Sequence, residues 1–119
     1  CAQLEQLPAY IEAKRRLSDR YRAAFTEISG VKMFTEPTFA QSNYWLNALL
    51  LDHEDRDQRD HVLTLLNEAG FQSRPAWRPL HMLPMYQECP RMDLSVAEDL
   101  YRRIITIPSS PILADAPIG

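Results

Sequence analysis

The sequence of 119 residues is poor in glycine, lysine and cysteine and has no long apolar run. It contains no P-loop, dinucleotide-binding fingerprint, HExxH motif or nucleophile elbow, so the common signatures of nucleotide hydrolysis, redox cofactors and zinc proteolysis are missing. The longest apolar run, residues 46–51, is far shorter than the roughly 20 residues that cross a bilayer. Cys1 and Cys89 fit no CxxC or disulfide-framework spacing and are expected to be free thiols of a reducing cytoplasm.

Positive charge is not in excess either. Thirteen Lys and Arg residues against 16 Asp and Glu give a net charge of −3, so nucleic acid is not an expected partner. The hydrophobic content of 45% and charged content of 24% are typical of a soluble globular domain. The sequence opens without Met or a signal peptide. We therefore expect residues 1–119 to form one domain cut from a longer protein.

The first third of the sequence predicts a long amphipathic helix. Apolar residues recur near a 3.6-residue period, and Pro8 suits the first turn of the helix, so residues 1–7 are expected to finish an earlier one. Ser29 and Gly30 are expected to end it. Five cations on this helix predict a solvated face with Glu12–Arg16 and Arg15–Asp19 pairs; they are Lys14, Arg15, Arg16, Arg20 and Arg22.

The remaining sequence alternates between strand and helix signals. Residues 32–41 predict a weak strand and loop, and the apolar residues 44–51 predict a central strand covered on both faces. A helix with an acidic start and a Gly70 stop follows, then a short extended run at 71–76. A Ser-x-x-Glu capping box at 95–98 predicts a third helix that runs into a strand at 104–107. The tail after Pro108 has no period. Together these signals predict an α+β fold with helices on one side of a mostly antiparallel sheet.

The acidic stretch at residues 52–61 invites a metal-binding interpretation, but the spacing opposes it. Counted from Asp55, the sixth and twelfth positions of an EF-hand loop would be Asp60 and Leu66 instead of glycine and glutamate. His53 and His61 lie eight residues apart, which does not place two imidazoles together on a helix. We expect a solvated turn that caps the next helix, and no metal site.

Chemically useful side chains concentrate at residues 74–86. Two guanidiniums, an indole, an imidazole and a phenol share this proline-stiffened segment, and such groups suit an anion or a sugar. The alternative is a packed surface loop in which Trp77 and Tyr86 cover the core and His81 hydrogen-bonds within its own loop. Neither lysine, Lys14 or Lys32, has the apolar setting of a Schiff-base lysine.

Four motifs in order resemble the C-terminal part of the DegT/StrS class of nucleotide-sugar aminotransferases. They are residues 2–8 running into 10–16, residues 42–47, residues 70–77 with 79–81 and 84–86, and residues 97–98 leading to 107–108. The pattern is most similar to the branch that makes 4-amino sugars for bacterial nonulosonic acids and bacillosamine-like sugars. The resemblance covers almost the whole sequence.

This resemblance implies a cytoplasmic homodimeric enzyme of the fold-type I architecture that depends on pyridoxal phosphate (PLP). A large domain, absent from these 119 residues, would hold the cofactor and its lysine. The enzyme would transfer an amino group, usually from glutamate, to a nucleotide-linked keto sugar in cell-surface sugar biosynthesis. By itself this small C-terminal domain is expected to be inactive and to bind no PLP.

The resemblance also assigns candidate substrate-binding residues, with no catalytic or cofactor residue among them. His81 matches the family's histidine near the sugar, and Arg74, Trp77 and Tyr86 lie in the same motif. His81 would orient the sugar or donor, Arg74 would meet a carboxylate or phosphate oxygen, and Trp77 would form an apolar wall. The competing hypothesis is a stand-alone α+β interaction or ligand-sensing module without PLP chemistry.

Overall fold

A computed structural model describes residues 2–52 and 56–116. The helices are α1 (Ala2–Glu5), α2 (Leu7–Phe25), α3 (Arg56–Glu68) and α4 (Ser95–Arg103), and the strands are β1 (Val31–Met33), β2 (Asn47–Leu51), β3 (Arg74–Pro75) and β4 (Ile104–Ile107). Within these ranges, 3₁₀ turns lie at Leu80–Met82, Pro84–Tyr86 and Pro111–Asp115. The last of these occupies the tail that has no period in the sequence. Cys1 and the turn expected ahead of α3, at residues 53–55, lie outside the described residues.

The four strands form one sheet in the order β1-β2-β4-β3, and every neighbouring pair is antiparallel. Leu49 of β2 lies opposite Met33 on one side and Ile105 on the other, which makes β2 and β4 the inner strands. β4 follows α4 without a connecting loop, as its β-branched residues predict. The predicted α+β fold with an antiparallel sheet is confirmed.

The core lies between one face of the sheet and the helices α2 and α3. Ile105 is fully buried and clusters with Leu49, Leu51, Leu63 and Ile107. Side chains from both helices pack against this cluster, among them Tyr21, Phe25, Val62 and Leu66. The predicted placement of helices on one side of the sheet therefore holds for α2 and α3.

β2 differs from its prediction in extent and in burial. The strand begins at Asn47, and its residues alternate between buried and half-buried, so it is not equally covered on both faces. Ahead of it the backbone turns, with Tyr44 at φ 45° in the left-handed region. The side chains of Ser42 and Asn43 accept hydrogen bonds from the backbone N–H groups of Tyr44 and Trp45. Such local side-chain bonds favour a turn over an extended strand.

The predicted glycine stop at the end of α3 is confirmed, whereas the capping box predicted at the start of α4 is wrong. Gly70 has φ 87°, and the N–H groups of Gly70 and Phe71 bond to the carbonyls of Asn67 and Leu66, which completes a Schellman motif. At α4 the predicted capping box does not form, because the helix begins at Ser95 itself. The Asp93 carboxylate accepts hydrogen bonds from the N–H and hydroxyl of Ser95.

The basic residues of α2 hold other segments in place, which corrects the expectation of a solvated face. The expected Glu12–Arg16 pair is present at 3.4 Å. Arg15, expected to pair with Asp19, makes a bidentate contact with Glu36 at 2.5 and 3.1 Å. Periodicity within one helix cannot reveal a partner that lies 21 residues away in the chain.

The tail is fixed by the same helix. The Arg20 guanidinium donates hydrogen bonds to the carbonyls of Leu113, Ala114 and Ala116, and the Tyr21 hydroxyl donates to the carbonyl of Pro108. The carbonyls of Pro108 and Ala116 lie outside any helix or strand, so these bonds satisfy backbone acceptors there, while the other two lie in the 3₁₀ turn Pro111–Asp115. α2 therefore organises the segment that follows β4.

Candidate functional site

An open groove with a volume of about 670 Å³ lies beside the β3 edge of the sheet. Three segments meet there: the turn before β2, the β3 strand with the residues around it, and the chain after β4. The lining includes Trp45, Arg74, Trp77, Ser109 and Ser110. Apolar walls with a few polar groups are typical of a small-molecule site.

Two tryptophans stack on each other at this groove. The ring centroids of Trp45 and Trp77 lie 6.0 Å apart with an angle of 23° between the planes. Their exposed fractions are 66% and 71%. Trp77 is therefore too exposed to cover the core. The alternative of a packed surface loop is wrong for this residue. Exposed aromatic surface of this extent is typical of a binding or docking face.

Arg74 adds a cation to the same groove. It lies in β3 opposite Thr106, whose hydroxyl donates to the Arg74 carbonyl at 3.0 Å. The side chain is exposed, and no carboxylate among the described residues forms an ion pair with it. The guanidinium is thus held near the groove by its strand and is free to meet a carboxylate or phosphate of a ligand.

His81 and Tyr86 are not part of the lining of this groove. His81 lies in the 3₁₀ turn Leu80–Met82, and its Nε2 is 2.8 Å from Oε1 of Glu98 on α4. The alternative in which His81 hydrogen-bonds within its own loop is therefore wrong, because its partner Glu98 lies on α4. The side chain of His81 is only 13% exposed, whereas Tyr86 in the next turn is 43% exposed. The structure brings Arg74 and Trp77 together and places His81 against α4.

Trp45 is the residue at the groove that sequence reasoning missed. It stands inside an apolar run, and this pattern predicts a buried strand. The Ser42-Asn43 turn that precedes it is the signal that could have revealed its exposure.

No helix among the described residues is long and apolar enough to cross a membrane. No group of three or more His, Cys, Asp or Glu side chains in residues 2–52 and 56–116 is arranged to hold a metal ion.

The fold is a small α+β domain with exposed aromatic and cationic residues at a groove on one side of its sheet. The chain belongs to the DegT/DnrJ/EryC1/StrS aminotransferase family, whose family model matches residues 1–119. The family and fold predicted from the sequence are confirmed.

Two curated relatives and one solved structure illustrate the match. The chain is 35% identical over 117 residues to GDP-perosamine synthase of Vibrio cholerae, covering 96% of this chain and 31% of that protein. It is 31% identical to dTDP-4-dehydro-2,3,6-trideoxy-D-glucose 4-aminotransferase of Saccharopolyspora spinosa, covering 98% of this chain and 29% of the relative. PseC of Helicobacter pylori, an aminotransferase involved in pseudoaminic acid biosynthesis, shares the fold with a TM-score of 0.84 at 19% identity, over 94% of this chain and 30% of its own. The chain thus spans about 30% of the length of the proteins it matches.

The lysines of the chain do not fit the role of binding PLP covalently. Lys14 directs its ammonium at backbone carbonyls, the nearest at 2.6 Å, and its burial lowers the pKa of that ammonium from the ordinary value. Lys32 is 74% exposed and lies 3.3 Å from Asp52, so it has no dry pocket in which an amine would be activated. Since the sequence has no other lysine, these 119 residues supply no lysine for the cofactor.

Proposed function

We propose that residues 1–119 are the small C-terminal domain of a PLP-dependent aminotransferase that transfers an amino group from glutamate to a nucleotide-linked keto sugar. The protein would act as a cytoplasmic homodimer and serve 4-amino sugar biosynthesis. The cofactor and its lysine would belong to a large domain outside this chain, where PLP would supply the chemistry of amino transfer. The relatives support this proposal, since those described above are named for amino transfer or amino sugar synthesis.

The observation that carries the proposal is the groove shared by Arg74 and Trp77. A nucleotide sugar and glutamate both present anionic oxygens, and an unpaired guanidinium is suited to bind them bidentately. The stacked indoles offer an apolar wall to the carbon face of a sugar. Arg74 would thus bind and orient a substrate, and Trp77 would exclude water from one side of it.

His81 and Tyr86 would contribute from the neighbouring turns. With its Nε2 held by Glu98, the His81 ring has a fixed orientation and one remaining nitrogen, which is suited to a hydrogen bond with a sugar hydroxyl or the amino donor. The phenol of Tyr86 is half-exposed and available to a ligand at the mouth of the site. Both residues would orient substrate without forming a covalent bond to it.

The test is turnover by the full-length polypeptide that carries this chain. Nucleotide-linked 4-keto sugars would be supplied with glutamate, and formation of 2-oxoglutarate would be followed. We expect turnover of at least one sugar and bound PLP in the purified protein. No turnover across the panel, or an upstream reading frame without a cofactor lysine, would favour the stand-alone module instead.

Two variants of the full-length enzyme test the site. R74A and H81A should each lower kcat/KM by about tenfold or more, the loss expected for one hydrogen bond to a charged group, with the PLP content unchanged. R91A is the control, because the Arg91 guanidinium bonds locally to the Gln87 carbonyl. If R74A and H81A match R91A, the assignment of these residues is wrong.

A further inference from the structure

We propose that Lys14 is a positioning residue that holds the turn at Trp45 against the segment after β4, both of which line the groove. The inference rests on the proposed function only in taking the groove as a substrate site. Lys14 was expected to lie on a solvated helix face, and it is not among the residues that line the groove. Its effect on a ligand would therefore pass through the residues it holds.

The contacts of Lys14 join segments that are distant in sequence. The ammonium on α2 donates to the carbonyl of Trp45 at 3.1 Å and to the carbonyl of Ser109 at 2.6 Å, with a longer contact of 3.5 Å to Tyr44. Trp45 precedes β2 and Ser109 follows β4, and both line the groove. One side chain thus connects the turn that carries an indole to the segment after β4, which also lines the groove.

The chemistry of this contact favours a fixed geometry. An ammonium has three donors and no acceptor, and charge-assisted hydrogen bonds are stronger than neutral ones. No carboxylate among the described residues pairs with Lys14. The hydrogen-bond acceptors of its ammonium are backbone carbonyls. Loss of the ammonium would leave the carbonyls of Trp45 and Ser109 without this donor and would remove the link between them.

Ser109 is also held in place by hydrogen bonds of its own hydroxyl, so the carbonyl that Lys14 contacts has a fixed position. Its hydroxyl accepts a hydrogen bond from the Asn47 N–H at 2.8 Å and donates to the Ile107 carbonyl at 2.7 Å. The segment after β4 is therefore tied to the sheet by Ser109 itself. The turn before Trp45 is held at Ser42 by Arg15 and Glu36, but at the Trp45 carbonyl itself the donor is Lys14. We expect Trp45 to move when Lys14 is removed, while Ser109 stays.

The other cations of α2 that contact distant segments have different partners. Arg15 contacts Glu36 and the Ser42 carbonyl, and Arg20 contacts the carbonyls of residues 113, 114 and 116. Arg16 forms surface pairs with Glu12 and Asp115. Arg16 is therefore a matched control, since its removal takes the same charge from the same helix without touching the groove.

The first test uses the 119-residue chain and circular dichroism. Trp45 and Trp77 are the only tryptophans, and two indoles this close give an exciton couplet in the far-ultraviolet spectrum. K14M should lose most of the couplet while R16M keeps it, and W77F should lose it and so confirm the origin of the signal. K14R, which keeps a cation, should recover part of it. An undiminished couplet in K14M would overturn the proposal.

The second test uses the full-length enzyme and separates this inference from the proposed function. K14M should raise the KM for the nucleotide sugar severalfold with a smaller change in kcat, and R16M should change neither. If the wild-type enzyme has no aminotransferase activity, the proposed function fails and the couplet still decides the role of Lys14. If it is active and K14M has the KM of R16M, the inference fails. Should K14M not fold, K14Q replaces it with the same two readouts, because a shorter neutral amide cannot reach both carbonyls.

Discussion

The imidazole of His81 and the carboxylate of Glu98 are joined by a 2.8 Å hydrogen bond across 17 residues of sequence. Between β3 and α4 the chain has no regular secondary structure other than two 3₁₀ turns. The His81–Glu98 bond attaches the first of these turns to α4, and Glu98 also lies 3.5 Å from Arg102 on the same helix. The position of the segment thus depends on a side-chain contact as well as on backbone bonds.

Replacing Glu98 should loosen this segment. We expect E98A to speed amide hydrogen exchange in residues 80–86 and to lower the free energy of unfolding by about 1 kcal/mol, the net worth of a typical hydrogen bond. E98Q keeps an acceptor and should have a smaller effect. V96A is the control on the same helix, because Val96 is 70% exposed. Unchanged exchange in E98A would show that the turn is held without Glu98.

The Arg15–Glu36 pair should make stability depend on acid pH. Hydrogen bonds from the Arg15 guanidinium, then from the Ser42 N–H, lower the pKa of Glu36 to about 2 from the ordinary 4.5. The unfolded chain therefore binds this proton more tightly than the folded one, and the contribution of the pair is present above pH 4.5 and is lost as the pH falls towards 2. E36Q should be less stable than the wild type near neutral pH, and the difference should shrink over this acid range.

Urea midpoints measured against pH would test this expectation. E12Q is the control, because Glu12 lies 3.4 Å from Arg16 and is 74% exposed. Its midpoint should follow that of the wild type at every pH. A constant difference between E36Q and the wild type from neutral to acid pH would contradict the role given to Glu36.

Gly70 should be sensitive to substitution for backbone reasons alone. Its φ of 87° lies in the left-handed region, and a Cβ added there would meet no atom within 4 Å. G70A should therefore cost about 1 kcal/mol of unfolding free energy through backbone strain, and G70N should cost less. Chemical denaturation gives both values, with E68A at the exposed end of the same helix as control. A neutral G70A would mean that the α3 terminus rearranges.

Ile105 should be the most sensitive apolar position of the sheet, because it is fully buried between β2, β3 and the helices. I105A should lower the free energy of unfolding by about 2–5 kcal/mol, from lost burial and from the cavity left behind. I112A should change it by about 0.5 kcal/mol at most, because Ile112 is 79% exposed. Equal effects of the two variants in urea denaturation would place the core elsewhere.

Local signals explain why much of the fold could be predicted. The helical periods, the Gly70 stop and the β-branched residues of β4 each act within a few residues of sequence. Ser42 and Asn43 act just as locally, but the apolar run that follows them favours a strand that begins at Tyr44. The start of α4 differs from its prediction, because Ser95 is the first helical residue and not the N-cap, and its N–H and hydroxyl bond to Asp93.

Long-range partners explain what could not be predicted. The contacts of Lys14 and Arg20 lie up to 96 residues away, and nothing in a helical period indicates them. Arg74 and Trp77 both line the groove, as their closeness in one segment predicts, whereas His81 and Tyr86 of the same segment do not. Trp45 reaches the groove only because antiparallel pairing places the start of β2 beside the end of β4.

The outer strand of the sheet at the groove side is β3, which has two residues, a charged one and a proline. A proline offers no N–H, and so short a strand presents few free backbone groups to another chain. Fibril-like stacking of copies, in which one edge recruits the next, is disfavoured on this side and would have to begin at β1. The entrance to the groove is therefore protected from being sealed by a second molecule that pairs with the edge beside it.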